Sequence, residues 1–182
     1  MLGIPFRVVV SAHDEDVHDG DPCATVEANA AGKAREVMAR EALAPDELVL
    51  GVDTVVVIDG RVLGKAHDRR EARAYLRLLA GRRHDVYSGL YLGAAGREAG
   101  GHARTSVTFR SFDDKTLARY LATNEWQDRA GAYAVQGLGS TLVTAVEGDY
   151  FNVVGLPVAL LVDTLARLGV TPLSWAPDGW PG

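Results

Sequence analysis

Residues 48–58 form an apolar, β-branched run interrupted by a single acid, Asp53. A carboxylate in such a run faces a large desolvation cost unless it is paired, hydrogen-bonded or bound to a metal. Two readings are open on this run alone: an acid that binds a cation or moves a proton, and an acid that ends a strand by bonding nearby backbone. Gly64-Lys65 follows the turn Asp59-Gly60, so the Lys65 ammonium can return toward the strand of Asp53. There it could hold a phosphate while the acid handles a metal or a proton, although a lysine after a glycine is usually a solvated turn residue. Lys33, in an Ala-rich stretch, and Glu15, in an acidic loop, read on their own as solvated charges. In Asp128-Arg129-Ala130-Gly131-Ala132-Tyr133-Ala134-Val135-Gln136-Gly137, small residues permit close backbone approach to a ligand. Gln136 there offers the donor and acceptor needed to read a base edge. Spacing alone favours a tight turn with that amide in water.

The elements that must position these groups follow from periodicity. Strands are expected at residues 6–10, 48–58, 61–63, 84–92, 102–109 and 141–146, and helices at 25–43, 69–79, 113–123 and 157–168. Thr25, Asp21 or Asp19 is the candidate N-cap of the first helix, and Pro45 enforces its end. The Gly-rich residues 93–101 read as an exposed hairpin loop. This alternation predicts an α/β domain with a mixed sheet, spanning residues 1–170, with a loosely packed tail at 171–182.

At 182 residues with ordinary apolar content, the chain can bury one sizeable core. A net charge of −5 excludes a general nucleic-acid or anionic-membrane surface, yet a few local Lys and Arg can still receive a small phosphate-bearing ligand. Cys23 is the sole cysteine, so no intrachain disulfide or Cys-based zinc site forms. The five histidines lack metal-ligand spacing, and there is no Ser-centred elbow, P-loop or dinucleotide fingerprint. With no signal peptide or membrane-spanning stretch, the cytoplasm is the expected location.

Four blocks change the weight of these observations: Gly51-Val52-Asp53-Thr54, Val62-Leu63-Gly64-Lys65, Arg129 to Gly137 of the segment above, and Gly148-Asp149-Tyr150-Phe151-Asn152-Val153-Val154-Gly155-Leu156-Pro157. In order and spacing they resemble the Maf family of nucleoside triphosphate pyrophosphatases, over nearly the whole chain from Leu2 to about Gly169. The resemblance implies a Maf/ITPase-like fold, a twisted mixed sheet flanked by helices around a central nucleotide-binding cleft. It also implies hydrolysis of a nucleoside triphosphate to monophosphate and pyrophosphate with a divalent cation, Mg²⁺ or Mn²⁺. By the same resemblance Asp53 is the general base and a metal ligand, Glu15 lies near metal and phosphates, and Lys33 and Lys65 bind phosphate. Thr54 and Gln136 match positions that separate subfamilies, and their identities resemble the branch acting on dTTP and UTP. A homodimer is also implied.

The chain departs from the family pattern at its start. That pattern opens with a strand, a Ser-x-Ser-Pro-Arg-Arg loop and a helix before a Leu-Gly-x-x-Phe segment, which Leu2-Gly3-Ile4-Pro5-Phe6 matches. Arg7, Arg35 and Arg129 do not stand in for the loop arginines, and Ala66 replaces a usual proline. Charge-assisted phosphate contacts are worth about 1.5–3 kcal/mol each, so weak turnover is expected of these 182 residues, with recovery on N-terminal extension. A catalytically impaired nucleotide-binding or regulatory protein is the alternative function, and a module acting only through protein contacts a third.

Overall fold

The computed structural model describes residues 4–16, 18, 20–94 and 96–171. In chain order the elements are α1 (Pro22–Arg40), β1 (Val49–Ile58), β2 (Arg61–Leu63), α2 (Arg69–Leu79), β3 (Arg83–Ala94), β4 (Arg97–Phe109), α3 (Asp114–Ala122), a 3₁₀ segment (Gly137–Leu142), β5 (Val143–Glu147), α4 (Tyr150–Val154) and α5 (Val158–Arg167). The strands form one sheet in the order β2-β1-β3-β4-β5. The α/β class is as expected, and every pairing is antiparallel rather than a mixture of directions.

Local signals account for most boundaries. Asp21 caps α1 by accepting from the Ala24 N–H at 3.0 Å, with Pro22 in the first turn. Thr25 instead sits buried inside the helix, and Asp19 lies outside the described residues. Asp68 caps α2 through the Glu71 N–H, while Glu71 reaches back to the His67 N–H. Asp59 and Gly60 both take positive φ, the geometry of a two-residue turn between β1 and β2.

Three expectations are corrected. Residues 6–10 are not a strand: Phe6, Val8 and Val10 are about 80% exposed, and the segment is held by Arg7 to Glu41 and Glu47 and by Arg40 to the Val10 carbonyl. The segment takes polar partners from α1 and the loop after it in place of a strand neighbour. The Gly-rich stretch is not a loop but the paired ends of β3 and β4, from Leu92↔Ala99 to Ala94↔Arg97. A Cβ at Gly93 would lie 2.5 Å from the Met38 sulfur, and one at Gly100 2.8 Å from the Leu90 carbonyl oxygen, so these glycines serve contact. Residues 137–142 form a 3₁₀ segment, and β5 begins only at Val143. The tail at 172–182 lies outside the described residues.

The two faces of the sheet are covered differently. α1 lies alone against one face, burying Val26, Asn29, Ala30, Ala34 and Val37 along a helical stripe. The other face carries the main core, with Leu76, Leu79, Phe109, Leu121, Trp126 and Tyr133 among its largest members. α5 extends that cover over Leu90 and Leu92.

Candidate functional site

Asp53 lies mid-strand in β1, paired with Gly89 of β3, and is only 7% exposed. Strand alternation puts it on the α1 face with Gly51. That face is stripped to backbone where the helix crosses. A Cβ at Gly51 would stand 2.1 Å from the Ala30 carbonyl oxygen, and one at Gly89 2.0 Å from that of Val26. Glycine at both positions lets α1 descend until its side chains reach the Asp53 carboxylate.

Two residues one helical turn apart do so. Lys33 donates from Nζ to Asp53 Oδ1 at 2.7 Å, and Asn29 donates from Nδ2 to Asp53 Oδ2 at 3.1 Å. The same ammonium lies 2.6 Å from Glu15 Oε1. Asn29 ties the loop of Glu15 in place, donating to the Asp16 carbonyl at 2.9 Å and accepting from the Asp16 N–H at 3.0 Å. The expected residues Glu15, Lys33 and Asp53 therefore form one cluster, with Asn29 as a fourth member.

Its electrostatics follow from geometry. Burial works to raise the Glu15 pKa, but the hydrogen bond and charge of Lys33, with the charge of Lys65 behind it, hold that carboxyl below its ordinary value. Burial works to lower the Lys33 pKa, and its bonds to Asp53 and Glu15 outweigh this and raise it. Two anions thus converge on one cationic group, and the cluster carries a net negative charge before Lys65 is counted.

Lys65 follows β2 and pairs across an isolated bridge with Ala130, while Gly131 donates its N–H to the Gly64 carbonyl at 3.0 Å. The arm bearing Lys65 is thereby joined to the segment leading to Gln136. Thr54 faces the other way from Asp53. Its hydroxyl lies 2.8 Å from that of Ser88, which donates to the Asn152 carbonyl of α4 at 3.3 Å. Gln136 precedes the 3₁₀ segment, exposed, beside a cavity of about 230 Å³ lined by Tyr133, Val135, Val153 and Val154 with Arg129 and Glu125 at its polar side. Among the described residues no hydrogen bond or ion pair joins Thr54 or Gln136 directly to the Asp53 cluster. Thr54 connects instead to the helix whose next residues line the cavity.

The donor set suits a hard divalent cation. Among the described residues no three His, Cys, Asp or Glu side chains converge. Mg²⁺ does not need them, since it is commonly held by one or two carboxylates together with substrate phosphates. Glu15 and Asp53, already drawn together by an ammonium, match that requirement.

Asn29 was legible in principle, four residues before Lys33 and hence on the same helical face. Asn152 fell within the 148–157 block, whereas Ser88 and Glu125 had no such signal, because their contacts lie 64 and 13 residues away along the chain.

A family model described as Maf-like protein matches residues 1–168. A protein of Moorella thermoacetica named dTTP/UTP pyrophosphatase is 48% identical over 172 residues, covering 93% of this chain and 87% of its own length. Proteins of the same name from Pelotomaculum thermopropionicum and Deinococcus radiodurans are 43% and 40% identical. The first alignment covers 94% of this chain and 90% of the relative, the second 93% and 86%.

Proposed function

The chain belongs to the Maf-like protein family, and on that premise we propose that it is a pyrophosphatase hydrolysing dTTP and UTP to the monophosphate and pyrophosphate. The observation that carries the reading is the buried Asp53 carboxylate sharing the Lys33 ammonium with Glu15. Asp53 takes a proton from water as the water oxygen bonds to the α-phosphorus, and the bond from that phosphorus to the bridging oxygen breaks to release pyrophosphate. Because Asn29 and Lys33 hold its two oxygens, the base is oriented before substrate arrives. Lys33 and Lys65 neutralise phosphate charge as it shifts toward the leaving group. Glu15 and Asp53 would hold Mg²⁺ or Mn²⁺, which supplies charge stabilisation at the phosphoryl oxygens. Thr54 and Gln136 discriminate the base, Gln136 at the cavity and Thr54 through Ser88 and α4. The described residues include no helix long and apolar enough to cross a membrane.

Release of pyrophosphate from dTTP and UTP with Mg²⁺ or Mn²⁺ tests the reading. It is measured on this chain and on one extended ahead of Met1 by a strand, the Ser-x-Ser-Pro-Arg-Arg loop and a helix. Asp53→Asn should lower kcat by about 10²–10⁴-fold, the usual weight of a general base, while nucleotide still binds. Absence of turnover from both proteins, or equal turnover by the Asn variant, would overturn it. Nucleotide binding without turnover would instead favour a regulatory role.

A further inference from the structure

Gln136 stands at the N-cap of the 3₁₀ segment, yet its side chain makes no cap hydrogen bond. The capping is done from elsewhere in the chain. Glu125 accepts the Leu138 N–H at Oε1, 3.1 Å, and the Gly139 N–H at Oε2, 3.0 Å. These are the second and third residues of the segment, whose N–H groups an N-cap side chain ordinarily satisfies. Gly137 admits the carboxylate, since a Cβ there would lie 2.8 Å from Glu125 Oε1.

Glu125 is itself firmly placed. It follows Asn124, which takes positive φ after α3, and its N–H donates to Thr123 Oγ1 at 3.2 Å. Its neighbour Trp126 is buried and donates from Nε1 to the Leu121 carbonyl. A second tether from α3 grips the chain on the other side of Gln136, where Tyr120 Oη accepts the Ala134 N–H at 3.1 Å. The backbone of Gln136 is thus held before and after, while its amide is left without a capping duty beside the cavity.

We propose that Glu125 is a specificity-positioning residue: by capping the 3₁₀ segment in place of Gln136, it frees and aims the Gln136 amide at the nucleobase. This rests on the reading of Gln136 as a base contact. Glu125 touches no phosphate and takes no proton from water. Its removal acts on which nucleotide is accepted rather than on how fast the anhydride is cleaved.

A double-mutant cycle on base selectivity tests this, using kcat/KM for dTTP and UTP against CTP and ATP, with Glu125→Ala, Gln136→Ala and the pair. Glu125→Ala should reduce the preference for dTTP and UTP about tenfold, mainly through KM, as expected for a released cap contact. In the Gln136→Ala background it should remove little further selectivity, because both changes act through one amide. Glu125→Gln, which keeps one acceptor oxygen, should recover part of the preference, and it carries the test if the Ala variant does not fold. Equal loss of kcat on all four nucleotides, or full additivity with Gln136→Ala, overturns the proposal. An unchanged preference in Gln136→Ala alone defeats the prior reading of Gln136, an outcome separate from failure of Glu125→Ala when Gln136→Ala does shift preference.

Discussion

On one face of the sheet α1 rests on Gly51, Gly89 and Gly93 and engages it through Asn29, Lys33 and the Asp53 carboxylate. On the other, α2, α3 and the segment before β5 meet it through packed volume, with Phe109 edge-on to both His84 and Tyr133 at centroid distances of 4.9 and 4.7 Å. Bare backbone on the first face converts helix position directly into side-chain geometry at the acid. Bulk on the second spreads any displacement over many contacts. On the proposed function, chemistry belongs with the tight, charged face and recognition with the packed one, where Thr54 and the cavity beside Gln136 lie.

Acid should separate the faces most strongly. His84 is 2% exposed with Nε2 2.9 Å from the Tyr133 hydroxyl, and burial lowers its pKa to about 4. The unfolded chain takes up this proton near pH 6.5 while the folded chain resists it. Stability should therefore fall as pH drops from about 6.5 to 4, by up to about 3 kcal/mol from this group. Glu15, held below its ordinary pKa, keeps its contribution until more acidic pH and loses it as pH falls through its folded pKa. Urea midpoints followed from about pH 8 to 3 should fall first over the His84 window and again at more acidic pH as Glu15 titrates. A flat midpoint from pH 6.5 to 4.5 would contradict this.

Glycine substitutions sharpen the same contrast. Gly89→Ala drives a methyl into the Val26 carbonyl and should cost about 1–3 kcal/mol, with turnover falling as Asn29 and Lys33 move with the helix. Gly101→Ala faces α5, where the new atom meets Leu160 Cδ1 at 3.4 Å, an ordinary contact. Its stability should stay within about 0.5 kcal/mol of the parent. Equal losses by chemical denaturation would mean that α1 is not seated on glycine. A loss smaller than that at Gly89 is expected of Thr54→Val, which keeps shape and removes the bond to Ser88. About 1 kcal/mol of stability should go, with KM altered more than kcat.

Local signals made much of this fold readable. The α2 boundaries at 69 and 79 followed from amphipathic periodicity and Gly81, and the acid inside the apolar run of β1 marked Asp53 before any partner was known. The Gly-rich end of the β3–β4 ribbon misled because glycine signals both turns and close contact, and only the position of Met38 decides between them. Residues 6–10 misled because β-branched content describes a strand but cannot supply an adjoining one. In the site, Lys33 and Lys65 were marked by family resemblance, whereas Glu125 depends on a cap completed 13 residues later.

Asp53 is carried by a strand that is hydrogen-bonded along this stretch to β3, rather than by a surface loop. A carboxylate held by strand pairing, Asn29 and Lys33 has little freedom to travel, so on the proposed function adaptation to a new substrate falls on the segments around it. For an engineer this makes β1 the fixed datum of the molecule. The Glu15 loop, the Lys65 arm and the turn around Gln136 can be re-cut against it without resurveying the origin.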